Sequence, residues 1–239
     1  RAARSLAGVA ALAVALGALA FALQTGRSVL APVGLALGVW LVGGALADLW
    51  LRSGRQGLGD RLRRMARLPR ADWGKALAHA GLGITIFAVS AVLGWASEDI
   101  RVARIGESFE HRGYTITLLG VERVQGPNYI STTAQVEVRD GARLVALLTP
   151  EKRVYPAAGM PTTEAAIDYS LTRDLYVALG DPQDNGGWAL RTYVKPFAFW
   201  LWAGALIMAL GGLVSLTDRR YRVAAGARKA PAASPTPAE

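Results

Sequence analysis

The sequence of 239 residues contains no cysteine and only two histidines, His79 and His111. The absence of cysteine excludes a disulfide framework, a thiolate nucleophile, an iron–sulfur cluster and a cysteine-ligated zinc site. Two histidines are also too few for a three-histidine metal site within the chain. Metal centres that are built from thiolates or from three imidazoles are therefore excluded for this sequence.

Charged residues are scarce in four long apolar stretches. Each stretch is close to the roughly 20 residues that cross a bilayer core of about 30 Å. The first segment, 1–23, contains the uncharged run Leu6–Leu23, and no small-residue cleavage site of a signal peptide follows it. The other stretches are Val29–Leu51, Trp73–Trp95 and Phe197–Leu216. The sequence therefore predicts a membrane α-helical protein with four transmembrane helices.

The net charge of +9 comes from residues outside the segment that joins the third and fourth spans. That segment, Ala96–Lys195, holds 13 acidic and 11 basic residues, whereas the loop Arg52–Asp72 holds seven arginines and two aspartates. The positive-inside rule places the basic loop and the tail 217–239 in the cytoplasm, and Ala96–Lys195 on the opposite, outer side of the membrane. The basic residues form no stripe on one folded domain, which argues against nucleic acid as a partner.

The segment Ala96–Lys195 alternates in polarity over short runs that turn residues separate, which is typical of β-strands. We expect a small β-rich outer domain, barrel-like or sandwich-like, with helical structure limited to a turn near Thr163–Ile167. The Ala- and Pro-rich end of the tail, 224–239, is expected to be disordered. The expected strands are Tyr114–Val121, Thr133–Val138, Arg143–Thr149, Lys152–Tyr155, Leu175–Leu179 and Trp188–Val194.

His79 is the strongest candidate for a ligand, because it lies early in an otherwise apolar span. Lys75, His79 and Gly83 share one helix face, since residues four apart lie above one another. Neutral imidazole is a common axial ligand of haem iron, the lysine could meet a haem propionate, and the glycine gives the haem clearance. The alternative is a structural His79 that hydrogen-bonds a neighbouring helix, with Lys75 extending toward the lipid headgroups.

The other polar residues give weaker indications. Asp48 lies four residues before Arg52, a spacing that favours an ion pair at a helix end. His111 precedes a strand and is expected at the surface of the outer domain. Glu164 and Asp168 lie four apart near the expected helical turn, but nothing orients them as an acid–base pair.

Several motifs occur in an order that resembles the C-terminal part of the cytochrome c-type biogenesis protein family CcmF. The resemblance covers most of Arg70–Arg222 and includes Ala78–Gly81 around the membrane histidine. Because the chain begins without an initiator Met, we expect a fragment or one piece of a larger polypeptide. The remaining motifs are Glu151–Pro156, Met160–Ile167, Leu171–Leu179, Gly187–Arg191, Lys195–Phe197 and Gly204–Arg222.

The resemblance implies a membrane haem lyase for cytochrome c maturation. It places the chain in a bacterial inner membrane, with the small β-rich periplasmic domain formed by Ala96–Lys195. Such a lyase receives haem from the chaperone CcmE and attaches it to apocytochrome c through the thiols of a Cys-x-x-Cys-His motif in the client. It also implies a b-type haem in the membrane, held by two histidines on different helices and reduced by a donor such as quinol. His79 matches one of these two histidines by its flanking residues.

The second membrane histidine, the tryptophan-rich segment and the two periplasmic histidines of the family have no counterpart in this sequence. We expect them on the N-terminal portion of the same lyase, so this chain alone should not complete the reaction. We expect the outer domain to shape a cavity for haem, chaperone or apocytochrome. Buried structural ion pairs explain four of its residues equally well, so they are assigned no catalytic role: Lys152, Arg153, Tyr155 and Arg173.

Two functions of other classes stay open at this point. One is a non-catalytic membrane assembly subunit whose outer domain docks the haem chaperone or apocytochrome, with His79 structural. The other is a transporter fragment, for which broken or polar helices at mid-bilayer depth would be typical. The first and fourth spans are uninterrupted and uncharged, which disfavours the transporter.

Overall fold

A computed structural model describes most of the chain. Five α-helices and ten β-strands lie within the described part, and side chains are described from Leu6 onward. The disorder predicted for 224–239 lies outside the described residues. The described ranges are 2–54, 57–157, 159–184 and 186–218.

The chain forms two compact units, and the four long helices contribute residues to both. The first unit consists of helical segments with their connections. The second unit contains the β-strands together with the remaining helix ends. Of the described residues, the first comprises 2–16, 36–54, 57–87 and 202–218, and the second comprises 17–35, 88–157, 159–184 and 186–201.

Four of the helices are long and apolar enough to cross a membrane. A helix satisfies its backbone hydrogen bonds internally, so an apolar run of this length is stable in lipid. This confirms the predicted membrane α-helical class. The four are α1 (Ala2–Leu23), α2 (Leu30–Arg52), α4 (Arg70–Trp95) and α5 (Phe199–Leu216), with the short α3 (Leu58–Ala66) between α2 and α4.

The basic loop between α2 and α4 contains α3, which the sequence analysis does not predict. The indole Nε1 of Trp73 donates a hydrogen bond to the carbonyl oxygen of Met65 at 3.0 Å. The guanidinium of Arg61 lies 4.6 Å from the centre of the Trp50 ring. Met65 also packs against a small buried cluster on α2 and α4. These contacts attach α3 to both long helices.

Glycines let α4 and α5 approach each other to backbone contact. A Cβ added at Gly81 would lie 2.4 Å from the backbone nitrogen of Met208. A Cβ added at Gly211 would lie 2.4 Å from the backbone nitrogen of Ala78. Lipid provides no hydrophobic driving force for helix association, so membrane helices depend on such close van der Waals packing.

The strands of the second unit form two antiparallel sheets. The four-stranded sheet has the order β1-β10-β9-β8, and the six-stranded sheet has the order β2-β3-β4-β6-β7, with β5 also paired to β4. The strands are β1 (Ser97–Ala103), β2 (Ser108–His111), β3 (Tyr114–Gln125), β4 (Ile130–Asp140), β5 (Arg143–Leu148), β6 (Glu151–Val154), β7 (Pro161–Glu164), β8 (Ala166–Tyr169), β9 (Arg173–Pro182) and β10 (Trp188–Pro196).

The two sheets share one apolar core, which makes the domain a sandwich rather than a closed barrel. Leu118 and Val136 of one sheet and Leu179 and Leu190 of the other are fully buried, at 0% exposure. Buried and more exposed residues alternate along much of β4, as face-to-face sheet packing requires. The predicted β-rich domain is therefore confirmed, in its sandwich-like form.

The predicted helical turn at Thr163–Ile167 is wrong, because this segment is extended. β7 pairs with β6 in one sheet, and β8 pairs with β9 in the other. The chain therefore crosses between the sheets at Ala165, and both strands gain ladder hydrogen bonds that an isolated helical turn would lack. Glu164 and Asp168 consequently belong to different sheets and form no pair.

Candidate functional site

His79 lies on the exposed side of α4, and the helix itself orients its ring. The ring nitrogen Nδ1 lies 2.8 Å from the carbonyl oxygen of Lys75, one turn earlier. A carbonyl oxygen can only accept a hydrogen bond, so in the neutral imidazole Nδ1 carries the proton and Nε2 keeps its lone pair. His79 therefore presents an unprotonated nitrogen, which is the form of imidazole that binds a metal ion.

A shallow cavity of about 250 Å³ opens beside His79. Most of its lining is apolar, and its charged groups are one carboxylate and one ammonium group. Complete small-molecule sites usually enclose roughly 300–1,000 Å³. The described residues therefore provide one wall of a site rather than a closed pocket. The lining residues are Leu6, Trp40, Leu41, Gly44, Ala45, Asp48, Lys75, Ala76 and His79.

The Asp48 carboxylate pairs with two cations. Arg52 Nε lies 3.0 Å from one of its oxygens, and Lys75 Nζ lies 2.5 Å from the other. The predicted Asp48–Arg52 ion pair is confirmed. The contact between Asp48 and Lys75 was not predicted from the sequence. It could have been, because a single carboxylate in one apolar span and a single ammonium group in the next favour an ion pair. Arg52 also pairs with Asp72 at 3.2 Å, so two carboxylates balance two cations here.

Gly83 faces α2 instead of open space. A Cβ added there would lie 2.8 Å from the carbonyl oxygen of Gly38 and 2.9 Å from the side chains of Leu41 and Val42. Close packing of α2 against α4 therefore explains the glycine, and a role in haem clearance stays a prediction. The structure brings His79 and Lys75 to one cavity but directs Gly83 away from it.

Comparisons with known proteins assign this chain to a family. Residues 94–196 match the family model described as "CcmF C-terminal beta-sandwich". The chain is 57% identical over 228 residues to "Cytochrome c-type biogenesis protein ccl1" of Rhodobacter capsulatus, which covers 95% of this chain and 34% of that protein. The chain belongs to the CcmF family. It corresponds to a C-terminal part of these proteins.

Other CcmF-family proteins show the same partial coverage. "Cytochrome c-type biogenesis protein CycK" of Rhizobium meliloti is 42% identical, over 95% of this chain and 34% of that protein. CcmF of Escherichia coli K12 is 40% identical, over 80% of this chain and 28% of that protein. The chain thus spans about a third of the length of its curated relatives.

The fold is also that of a solved CcmF-family protein. The structure named "Cytochrome c Heme Lyase CcmF" has a TM-score of 0.65 to this chain at 22% sequence identity. The similarity covers 88% of this chain and 34% of that one. Membrane helices together with a β-sandwich are therefore the architecture that this CcmF-family chain shares with that structure.

The four outer residues considered above all have partners within the sandwich of this CcmF-family chain. Arg153 Nε donates to the Glu151 carboxylate at 2.8 Å, and its guanidinium lies 4.5 Å from the centre of the Tyr129 ring. Tyr155 contacts the same ring at a centroid distance of 5.5 Å. These contacts support structural roles. The other two residues form ion pairs, Lys152 with Asp181 and Arg173 with Asp168.

His111 is buried, at 7% exposure, so its predicted surface position is wrong. Strand β2 directs alternate side chains into the sandwich, and His111 is one of those that point inward. Its Nδ1–H donates to the Thr192 hydroxyl at 2.9 Å, and Nε2 accepts from the Ser97 hydroxyl at 2.7 Å. The Thr192 hydroxyl in turn donates to the Asp99 carbonyl oxygen at 3.3 Å. Both ring nitrogens of the neutral imidazole are thus used in hydrogen bonds within the sandwich, so His111 offers no free lone pair to a metal ion.

The stability of the sandwich should depend on pH through His111. Burial lowers the pKa of His111 below its ordinary value of 6.5, so the unfolded chain takes up the proton at higher pH than the folded one. The free energy of unfolding should therefore be fully retained above about pH 6.5 and should decrease as the pH falls below that value. Hydrogen exchange of the β10 amides in the full chain, measured from pH 8 to pH 5, reports this change.

The matched variant is His111→Gln, which keeps polar groups in the site but does not titrate. Its β10 amides should exchange with a smaller dependence on pH between 6.5 and 5 than those of the unmodified chain. An equal pH dependence in the two chains would assign the effect to other groups.

Proposed function

We propose that this chain is the part of a membrane haem lyase that supplies one axial ligand to a b-type haem during cytochrome c maturation. The observation that carries the proposal is the free lone pair of His79 Nε2 beside an open, mostly apolar cavity. The solved relative named "Cytochrome c Heme Lyase CcmF" supports it at the level of the family. When bound, the haem would supply one-electron oxidation and reduction at its iron.

The residues of this chain would hold and shield the group. His79 would bind the iron through Nε2, while the hydrogen bond from Nδ1 to the Lys75 carbonyl oxygen fixes the ring and raises its basicity. Trp40 and Leu41 would exclude water from this side of the site. An ammonium group has three N–H donors, so Lys75 could pair with Asp48 and still donate to a propionate.

The remainder of the reaction belongs to parts outside this chain. Because the cavity is open and the chain spans about a third of its relatives, we assign the second axial ligand and the attachment site to the N-terminal portion of the same lyase. The client apocytochrome c would contribute the thiols, which agrees with the absence of cysteine here. CcmE would deliver the haem, and quinol would be the electron donor.

We further propose that the sandwich faces the periplasm and that Arg52–Asp72 faces the cytoplasm of a bacterial inner membrane, given the arginine asymmetry. Single cysteines at the exposed positions Gly57 and Ala142 test this, because the chain has no cysteine of its own. A membrane-impermeant maleimide applied to intact cells should label Ala142→Cys and spare Gly57→Cys. Both should react after lysis. Labelling of Gly57→Cys alone in intact cells would invert the topology.

A non-catalytic assembly subunit is the second candidate, and the ion-paired outer residues agree with it. The haem content of the complex between this chain and the N-terminal portion separates the two functions. A haem lyase of the proposed kind should retain about one non-covalent b-type haem per complex, measured as the pyridine haemochrome. A complex that assembles fully but contains no such haem would favour the assembly subunit.

A further inference from the structure

Helix α3 has two chemically different exposed faces. Leu58 and Leu62 lie one turn apart and are 65% and 50% exposed, although both are apolar. Arg63 and Arg64 are exposed on other sides of the same helix, and Arg67 follows at its end. An exposed apolar stripe beside arginines is the pattern of a helix that lies in the interface of a membrane.

The position of α3 in the chain places it at that interface. It joins α2 to α4, and only five residues separate Arg52 from Leu58. Two tryptophans hold it there, since Trp73 donates to Met65 at 3.0 Å and Arg61 stacks 4.6 Å from the Trp50 ring. Tryptophans at the ends of membrane-spanning helices usually lie at the level of the lipid headgroups.

An apolar cavity of about 350 Å³ opens next to α3. Its lining is almost wholly hydrocarbon and aromatic, so it offers no polar partner to a headgroup but suits an acyl chain. Leu58 and Leu62 of α3 follow the same helix face as Met65, which is one of the lining residues. The lining residues are Leu46, Ala47, Leu49, Trp50, Met65 and Trp73.

Three exposed arginines on α3 and directly after it have no acidic partner among the residues that the structure describes. Asp72 is paired with Arg52, and no carboxylate among the residues that the structure describes pairs with Arg63, Arg64 or Arg67. Asp60 is the only other acidic residue of the sequence between Arg52 and Asp72. The local excess of positive charge therefore attracts anions from outside the chain. Guanidinium groups match the geometry of phosphate oxygens, which favours a phosphate group as the anion.

We propose that α3 and the adjoining cavity bind an anionic phospholipid. The cavity takes part of an acyl chain, and Leu58 and Leu62 lie at the boundary between the headgroups and the acyl chains. Arg63, Arg64 and Arg67 bind the negatively charged phosphate group. The site is separate from the proposed haem site, because the two cavities have no lining residue in common.

The test uses the full chain in nanodiscs of phosphatidylglycerol and phosphatidylcholine in equal amounts. A bimane probe on Leu62→Cys reports nearby nitroxide-labelled lipid, with either phosphatidylglycerol or phosphatidylcholine carrying the label. Each basic side chain near an anionic surface strengthens binding to that surface about fivefold. We expect labelled phosphatidylglycerol to quench the probe at least about threefold more strongly than labelled phosphatidylcholine, allowing for screening by salt.

Replacing Arg63, Arg64 and Arg67 together by Gln should bring the quenching ratio to about one. Replacing the same three by Lys keeps the charge and should retain most of the preference. The matched control removes three exposed arginines of the sandwich, and its ratio should not change. The control replaces Arg104, Arg123 and Arg143 by Gln.

Two results would overturn the proposal. One is a ratio near one in the chain with all its arginines, or a ratio that the triple Gln variant leaves unchanged. The other is a water-exposed bimane emission without quenching by either lipid, which would place α3 against another protein instead of the membrane.

Discussion

His79→Ala is expected to remove the b-type haem absorption bands from the purified complex while the protein stays inserted in the membrane. The substitution deletes the imidazole nitrogen that His79 presents to the cavity, so the proposed haem would lose the ligand that this chain supplies. The reduced-minus-oxidised spectrum of the complex with the N-terminal portion measures this loss. His79→Gly with added imidazole should restore the bands, because free imidazole can occupy the vacated volume.

The control for this experiment is Val89→Ala on the same helix. Val89 is 39% exposed and carries no nitrogen, so the haem spectrum should not change. His111→Ala is unsuitable as a control, because its loss would leave the hydroxyls of Ser97 and Thr192 without their partner inside the sandwich. Full haem content with an unchanged potential in His79→Ala would show that this histidine is structural.

Gly211→Leu is expected to destabilise the contact between α4 and α5 by about 3 kcal/mol or more. Any Cβ at this buried position would lie 2.4 Å from the backbone nitrogen of Ala78 and 2.7 Å from the carbonyl oxygen of Gly74. Backbone atoms cannot move aside as a side-chain end can, so the helices must separate. Thermal or SDS-induced unfolding of the full chain, followed by circular dichroism, measures the change.

The adjacent residue provides the matched control. Gly212 is exposed, and a Cβ there would meet nothing within 4 Å. Gly212→Leu should therefore leave the stability unchanged or raise it by up to about 1 kcal/mol, since leucine favours a helix more than glycine does. Equal destabilisation by the two substitutions would show that hydrophobic bulk, and not the close helix contact, causes the loss.

The membrane helices and part of the sandwich follow from local sequence pattern. A run of about 20 apolar residues is a sufficient signal for a span, because the bilayer imposes that length. Regular alternation located the strands that pair within hairpins, such as Thr133–Val138 inside β4 and Arg143–Thr149 over β5. The polar strand β1, with the sequence SEDIRVA, escaped detection, since its register comes from pairing with the distant β10.

The sequence by itself determined the class of the protein, the family resemblance and His79 as the ligand candidate, since apolar length, motif order and a lone membrane imidazole are local properties. Only the tertiary structure decided that Lys75 pairs with Asp48 and that Gly83 faces α2. It likewise decided that His111 is buried. These properties depend on residues far apart in the chain that packing brings together, and their spacing in the sequence does not predict which of them come into contact.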